Sequence, residues 1–411
     1  SFETRDGFDL ETELVGFDEF GKRTVRGVLP VEGFRKIPVF TNEFWTAKQR
    51  AASSLHEVSY RACFKPQLPR FFIERLTQPG DVVYDPFMGR GTTLIEAALL
   101  GRIPHGCDIN PISRIFARSR LNPPDITEVE TRLAEINFKS ASEFPEKLLA
   151  FYHPETLKEI CSLKKYLLAK KHAGTADEVD DWICMVAANR LTGHSPGFFS
   201  VYTLPPNQAV SIDSQIKINV KRGQTPPRRH VSELILRKSR QLLSDVQPLN
   251  RYHLSKGAES SLLLTRSSDG TPEIPSNSVA LAVTSPPFLD VVDYEKDNWL
   301  RAWFCGVEIS KLPIWRIKNL TDWESQMLGV LSELNRVLRP GGWLAFEVGE
   351  VRSGTVKLEI SVSKIGVQAG LCPQLVLIND QIFTKTSNCW GIANLKKGTN
   401  TNRVILFQKA G

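Results

Sequence analysis

Short apolar runs that alternate with helical stretches constrain this 411-residue chain more than any other feature. Each run has the length of a strand, and the segments between runs carry apolar residues at the helical period. The predicted strands cover residues 81–87, 104–109, 279–285, 342–349, 371–380 and 402–410. Strands that are separated by helices predict the α/β class, with a doubly wound and mostly parallel sheet.

The interval between the second and third predicted strands predicts an additional block of structure. Residues 121–255 number about 135, which is too many for a connecting loop. Their first part has helical periodicity, and their second part, around residues 193–208, is irregular and rich in Pro and Gly. We therefore divide the chain into residues 1–120, 121–255 and 256–411, and expect the middle block to be an inserted lobe that decides substrate specificity.

Composition and charge exclude several protein classes. No apolar run approaches about 18 residues, and the first ten residues are polar and acidic, so neither a membrane span nor a secretory signal is predicted. The seven cysteines are scattered and form no CxxC pair, which favours reduced thiols and argues against a disulfide scaffold or a bound metal. The net charge of +7 is compatible with a polyanionic partner.

A glycine-containing turn at residues 85–93, DPFMGRGTT, follows the first predicted strand. We expect Gly89 and Gly91 to permit a tight turn and the close approach of a ligand. Thr92 and Thr93 are predicted to cap the following helix, whose N-terminal amides would face an anionic group. The spacing matches neither the dinucleotide-binding GxGxxG pattern nor the phosphate loop of nucleotide triphosphatases.

Asp108 ends the second predicted strand. A carboxylate at this position is placed to accept both hydroxyls of a ribose. The alternative is that Asp108 caps the helix that begins near Asn110. The glycine turn that precedes it in the chain favours the ribose-binding role.

The third predicted strand is followed at once by Ser285, Pro286, Pro287 and Phe288. The two prolines stop ladder pairing, so the turn would hold a hydroxyl and an aromatic ring at the edge of the sheet. The structural alternative is that the prolines only end a strand.

Together these segments resemble the class I methyltransferases that methylate exocyclic amino groups in DNA. DPFMGRGTT resembles the D-P-F-x-G-x-G-T-T form of their cofactor turn, and TSPPF resembles their [SDN]-P-P-[YFW] catalytic turn. Residues 56–73 are similar to a K-P-x-x-L-x-x-x-x-I segment that precedes the first strand in the family, with Phe64, Lys65 and Pro66 as the counterparts. One departure concerns the acidic residue that the family carries before the catalytic strand, for which Asp269 is a loosely spaced candidate.

The resemblance implies S-adenosyl-L-methionine as the cofactor and double-stranded DNA as the substrate. The implied cofactor-binding residues are Asp85, Pro86, Phe87, Gly89, Gly91, Thr92, Thr93, Asp108, Ile109 and Lys65. It further implies a bacterial or archaeal protein of the cytoplasm and nucleoid, with a cognate restriction endonuclease as an open question.

The resemblance also implies a direct transfer chemistry. The hydroxyl of Ser285 and the carbonyl of Pro286 would accept hydrogen bonds from the amine of a flipped base, and Phe288 would stack on that base. Asp293 and Tyr294 are further candidates for pocket contacts. Ser285 at the first position favours N4 of cytosine, with N6 of adenine as the near alternative. An RNA amino-methyltransferase and a non-catalytic DNA-binding protein are less favoured.

A basic stretch in the middle block is the candidate contact to nucleic acid. Basic side chains neutralise phosphates and position a protein on a duplex. The residues predicted to do so are Lys217, Lys221, Arg222, Arg228 and Arg229. For the second basic run at residues 237–240, a solvated helix face is an equal alternative, and His194 is expected to be structural.

Overall fold

A computed structural model gives the fold of the chain. It describes residues 9–31, 34–46, 52–61, 63–204, 209–287, 294–312, 319–348, 358–381 and 400–411.

Nine strands in these ranges form one sheet. They are β1 (Val25–Leu29), β2 (Ile37–Asn42), β3 (Val82–Asp85), β4 (Ile103–Asp108), β5 (Leu262–Thr265), β6 (Val279–Thr284), β7 (Leu338–Val348), β8 (Leu371–Gln381) and β9 (Asn400–Lys409). Each of the six predicted strands is confirmed, with ends that differ by a few residues. The sequence analysis missed β1, β2 and β5, which are short or polar and carry a weak alternation signal.

The described residues also form thirteen helices, some of which cover the two faces of the sheet. They are α1 (Leu10–Gly16), α2 (Gln67–Leu76), α3 (Thr92–Leu99), α4 (Pro111–Leu121), α5 (Ile126–Glu135), α6 (Pro154–His172), α7 (Glu178–Arg190), α8 (Ile212–Arg222), α9 (Val231–Leu242), α10 (Pro248–Glu259), α11 (Tyr294–Cys305), α12 (Leu320–Val337) and α13 (Leu358–Gln368). Shorter 3₁₀ turns cover Ser54–His56, Glu146–Ala150 and Ile309–Lys311.

The strand order confirms the predicted class I methyltransferase sheet. The order is β1-β2-β8-β9-β7-β6-β3-β4-β5, and the strands from β8 to β5 form the seven-stranded core of that fold. β3, β4, β5, β6 and β7 pair in parallel, whereas β9 runs antiparallel to both β7 and β8. The β1–β2 hairpin extends the sheet beyond β8, where β2 pairs in parallel.

Alternating side chains of the central strands divide the core between two layers of helices. Val83 of β3 and Leu281 of β6 pack with α1 and α2 on one face. Tyr84 of β3 and Ala282 of β6 pack with α12 and α13 on the other. β6 is buried along its whole length, because both of its faces are covered.

The middle block is helical, and its core is continuous with that of the sheet domain. Trp182 of α7 and Ile235 of α9 belong to the same buried cluster as Phe116 of α4 and Leu300 of α11. The predicted boundary at residue 255 falls inside α10, and Gly257 of that helix lies against Ala98 of α3. α10 is therefore better grouped with the sheet, and the assignment of the preceding helices to recognition stays a prediction.

Candidate active site

A cleft opens where the carboxyl ends of β3, β4 and β6 meet. The chain turns from β3 toward β4 on one side, and β6 lies on the other side, so the cleft sits where the strand order reverses. The volume of the cleft, including the space at its open mouth, is about 890 Å³. Residues from 60–64, 85–92, 108–110, 266–268 and 285–287 line it. The predicted cofactor turn and the predicted catalytic turn therefore face one space.

The glycine turn forms as predicted, with positive φ at Gly89 and Gly91, but the helix after it is capped differently. Gly91 has a φ of 84°, and it is the N-cap of α3 without any side-chain cap bond, so the prediction that Thr92 and Thr93 cap this helix is wrong. A Cβ on Gly91 would lie 2.9 Å from the Cβ of Ala117, so glycine is needed here for the approach of α4. Gly89 and Thr92 line the cleft, whereas Thr93 donates to the carbonyl of Val283 at 3.2 Å.

Asp85 lies at the floor of the cleft with 2 % of its surface exposed. Its Oδ1 accepts a hydrogen bond from Thr284 Oγ1 at 2.6 Å and one from the backbone N–H of Phe87 at 3.0 Å. Burial raises the pKa of this carboxyl to about 7, and the hydrogen bonds partly oppose that shift. Asp85 therefore ties the end of β3 to the end of β6.

Asp108 lines the cleft from the tip of β4. Its two oxygens accept from the backbone N–H groups of Gly89 and Asn110, each at 2.9 Å. The side chain of Asn110, rather than Asp108, caps α4, so the capping alternative is wrong. Burial raises the pKa of Asp108, while the two backbone N–H groups lower it. Because Asp108 also lines the cleft, its carboxylate faces the space that a ribose would occupy.

A segment between β2 and β3, residues 52–61 and 63–66, covers one side of the cleft. Tyr60, Arg61 and Phe64 of this segment line the cleft. Arg90 of the glycine turn holds it, since its guanidinium donates to the carbonyls of Val58 at 2.7 Å and His56 at 3.2 Å. The role of Arg90 escaped the sequence analysis, because its acceptors are backbone carbonyls that carry no sequence signal.

Other side chains anchor the same segment at its two ends. His56 Nε2 lies 2.6 Å from Glu96 Oε1, and both groups are buried. Arg61 forms a two-pronged ion pair with Asp297 of α11, at 2.7 and 2.8 Å. Lys65 is exposed and is not among the residues that line the cleft, although its neighbour Phe64 is. The segment therefore bridges the cofactor turn and the helix that follows the catalytic turn.

The predicted catalytic turn leaves the end of β6 directly into the cleft. Ser285 and Pro287 line the cleft, Pro286 is buried, and the carbonyl of Pro287 accepts from Trp323 Nε1 at 2.9 Å. Phe288 and Asp293 lie outside the described residues, as does the side chain of Tyr294.

Glu347 at the end of β7 is a residue of this site that the sequence analysis missed. Its side chain, 8 % exposed, forms hydrogen bonds with the side chains of Ser285 and Asn402, the latter at 2.5 Å. Burial raises the pKa of Glu347, and these two hydrogen bonds lower it. Glu347 belongs to an otherwise apolar run, WLAFEV, and a lone acidic residue in a buried strand is the signal that could have identified it.

Comparison with known proteins agrees with this geometry. Residues 30–116, which contain the covering segment, the glycine turn and Asp108, match the sequence model of a family described as DNA methylase. The family model and the curated relatives described next support an amino-DNA methyltransferase family for this chain.

Three curated relatives share parts of the chain. It is 34% identical over 128 residues to the Type II methyltransferase M.MjaII of Methanocaldococcus jannaschii, covering 30% of this chain and 23% of that protein. It is 33% identical over 82 residues to M.MvaI of Kocuria varians, covering 19% of this chain and 18% of that protein. It is 25% identical over 285 residues to M.BsoBI of Geobacillus stearothermophilus, covering 63% of this chain and 54% of that protein. The chain thus spans about half the length, or less, of these relatives.

The cleft fits S-adenosyl-L-methionine, the cofactor that the sequence resemblance implies. Asp108 presents carboxylate oxygens for ribose hydroxyls, and the apolar Phe87, Ile109 and Phe64 line the same space. Gly89 has no side chain to obstruct a ligand at the turn. Asp85 and Thr92 add polar groups on the side next to Ser285.

Several other predicted residues lie away from the cleft. Asp269 is exposed and packs against Gly329 of α12, so it is not the missing acidic residue of the site. Gly91, Thr93 and Pro86 support the turn from behind instead of lining the cleft; the carbonyl of Pro86 accepts from Ser268. Pro86 and Thr93 are buried.

The predicted nucleic-acid contacts divide into two groups. Lys217, Lys221 and Arg222 are exposed on α8, and the guanidinium of Arg222 lies 3.8 Å from the ring centroid of Tyr202. Arg228 is instead half-buried and paired with Glu159 at 2.5 Å. The neighbouring Arg229 is also half-buried.

None of the described helices combines the length and apolarity needed to cross a membrane.

Proposed function

We propose that this protein methylates DNA at the exocyclic N4 amine of cytosine, with S-adenosyl-L-methionine as methyl donor. The observation that carries the proposal is the shared cleft. Ser285, directly after the buried β6, faces the same space as Asp85 at the end of the neighbouring β3 and Asp108 at the end of β4, the next strand of the sheet. A base amine and an activated methyl group held in this space would be brought together without any further movement of the sheet.

The Ser285–Glu347 contact supplies the chemistry at the amine. The hydrogen bond lowers the pKa of Glu347, which is the effect of a hydroxyl that donates to the carboxylate. With its proton directed to Glu347, Ser285 Oγ presents lone pairs to the N–H groups of a base. The carbonyl of Pro286 would be the second acceptor, held by two consecutive rings with fixed φ.

These two acceptors would favour transfer by polarising the amine. The lone pair of an exocyclic amine is delocalised into the ring, and acceptors on its N–H groups draw the nitrogen toward tetrahedral geometry. They also stabilise the positive charge that develops on nitrogen in the transition state. When bound, the cofactor supplies an electrophilic sulfonium methyl group. No covalent bond between the protein and the base is required.

The preference for cytosine rests on the identity of the first residue of the turn. A serine hydroxyl is compatible with either amine, but related adenine enzymes usually have Asp or Asn at this position. Adenine N6 is therefore the second candidate.

Double-stranded DNA is the proposed partner, in keeping with the charges on α8. Two hydrogen bonds attach the chain that leads into α8 to α11. Trp299 Nε1 donates to the backbone carbonyl of Val210 at 3.2 Å, and the backbone N–H of Ala209 donates to the backbone carbonyl of Asp297 at 3.2 Å. α11 follows the catalytic turn in sequence, so phosphates held at α8 would be coupled to the turn. The three relatives are named as Type II methyltransferases, and a cognate restriction endonuclease is proposed on that basis.

Nucleoside mass spectrometry tests the proposal. The protein would be incubated with S-adenosyl-L-methionine and unmethylated plasmid, and the DNA digested to nucleosides. The expected product is N4-methyldeoxycytidine, and Ser285→Ala should lower its yield about 100-fold while cofactor binding persists. N6-methyldeoxyadenosine would replace cytosine by adenine as the target. Methyl transfer to RNA alone, or to no nucleic acid, would overturn the proposal.

A further inference from the structure

Two guanidinium groups converge on Gly197, in the irregular loop between α7 and α8. A Cβ built on Gly197 would lie 3.7 Å from Arg237 Nη2 and 4.0 Å from Arg190 Nη1. The next residue of α9 after Arg237 is Lys238, whose side chain is only 7 % exposed. Two helices that are distant in sequence thus bring two guanidinium groups to one short loop, and the charge of Lys238 acts on Arg190 from the side of α9.

These cations have little opposing charge. Among the described residues, no carboxylate oxygen lies within 4.0 Å of either Arg190 or Arg237. Lys238 Nζ lies 3.8 Å from Glu57 Oε2, but Glu57 is half exposed, and the nearer partner of Lys238 is the neutral Gln241 at 3.1 Å. By contrast, the similarly half-buried Arg132 bonds to two aspartates.

Placing like charges together in a partly buried site is unfavourable unless a bound anion neutralises them. Burial and the neighbouring Arg190 lower the pKa of Lys238 to about 8. Burial, together with Arg301 and Arg237, lowers the pKa of Arg190 to about 10. Both lowered pKa values indicate that neighbouring protein groups do not neutralise these positive charges.

The cluster is also ordered in advance of binding. The guanidinium of Arg190 lies 4.0 Å from the ring centroid of Phe198 and donates to the side-chain oxygen of Asn189 at 3.0 Å. Its orientation is therefore set before any ligand arrives. Arg237 and the loop residue Ser195 remain exposed, so the cluster is open to solvent.

The cluster adjoins the segment that covers the cleft. Asn189 Nδ2 and Arg301 Nη2 both donate to the carbonyl of Ser59, at 2.9 and 3.0 Å. The next two residues, Tyr60 and Arg61, line the cleft itself. An anion at the cluster would therefore lie beside the wall of the proposed active site.

We propose that Arg190, Arg237 and Lys238 bind one backbone phosphate of the DNA substrate next to the cleft. This inference rests on the proposed function, which supplies a polyanion to this face. A phosphodiester fits the set because it carries one negative charge and accepts hydrogen bonds from several donors at once. The phosphate would hold the duplex close to the segment that contacts both the glycine turn and α11.

The salt dependence of DNA binding tests the inference. The probe is a short fluorescent unmethylated duplex, and its affinity is measured by anisotropy between about 50 and about 200 mM salt. Removing one of the three cations that share the phosphate should reduce the log–log slope by up to about 0.9 and weaken binding by up to about eightfold near 0.1 M salt. This result is expected for Arg237→Gln, whose side chain is exposed, and for Lys238→Met.

Arg240→Gln is the matched control, because Arg240 lies on the same helix but pairs with Glu130. It removes the same charge and should leave the slope unchanged. An Arg237→Gln slope equal to that of the wild type overturns the inference, even when the wild type methylates DNA normally. A wild-type protein that binds no duplex and methylates none overturns the proposed function, and the inference with it. Melting curves of the variants verify that each is folded.

Discussion

Asparagine in place of Asp85 should change how stability depends on pH. The carboxyl of Asp85 is almost fully buried at the floor of the cleft, and burial raises its pKa from 3.8 to about 7. Asn has nearly the same shape and keeps an oxygen that can accept from Thr284 and from the N–H of Phe87. The substitution therefore removes the titration while disturbing the packing little.

The sign follows from proton linkage. Between the two pKa values the folded state keeps a proton on Asp85 that the unfolded state has lost, so the free energy of unfolding falls as the pH rises through this window. For a pKa of about 7 against 3.8, the loss between about pH 5 and about pH 8 is about 2.5 kcal/mol. Because the unfolding entropy increases with chain length, this loss of stability corresponds to a Tm decrease of roughly 3 °C in a chain of this size.

Differential scanning fluorimetry at a series of pH values, at one ionic strength and without cofactor, measures the effect. The half-buried Asp108 and the buried Glu347 are also carboxyls with raised pKa values, and they contribute a slope of the same sign to both proteins. The informative quantity is therefore the Tm of Asp85→Asn minus that of the wild type. This difference should increase by roughly 3 °C from about pH 5 to about pH 8.

Asp269→Asn is the matched control, since Asp269 is an exposed carboxyl outside the cleft. Its Tm should follow that of the wild type at every pH. A Tm difference between Asp85→Asn and the wild type that stays constant with pH would refute the argument that Asp85 is held protonated by burial.

Two further predictions concern the catalytic turn and the glycine turn. Glu347→Gln should lower kcat about tenfold without changing the KM for cofactor in steady-state methylation assays. The double variant with Ser285→Ala should lose less kcat than the product of the two single losses, because both residues act through one hydrogen bond. Fully multiplicative losses would contradict this coupling. Gly91→Ala should lower stability by about 2 to 4 kcal/mol, since it combines a left-handed φ with a contact to α4. Gly174→Ala, where φ is 67° and no atom lies within 4 Å, should show only the backbone part of that cost in urea titrations, and equal losses would disprove the contact argument.

Local patterns in the sequence were sufficient to predict the strands and turns that border the site. The strands around Asp85 and Asp108 were recognisable because apolar runs bounded by Gly, Pro and Asp carry their own signal. The proline pair after Ser285 marked the end of a buried strand for the same reason. Since parallel strands present their carboxyl ends on one edge, the fold class alone was enough to place these residues near each other.

Contacts between distant segments depend on the order of the strands and helices, which periodicity does not encode. Placing β9 between β7 and β8 brings Asn402 to Glu347, and placing β7 beside β6 brings Glu347 to Ser285. Likewise, the close approach of α4 decides that Gly91 serves packing rather than ligand contact. The convergence of Arg190 and Arg237 on Gly197 also follows from the packing of α7 and α9. The sequence by itself determined which chemical groups stand at the strand ends, whereas the tertiary structure decided their partners, because a local pattern specifies a strand's faces but not its neighbours.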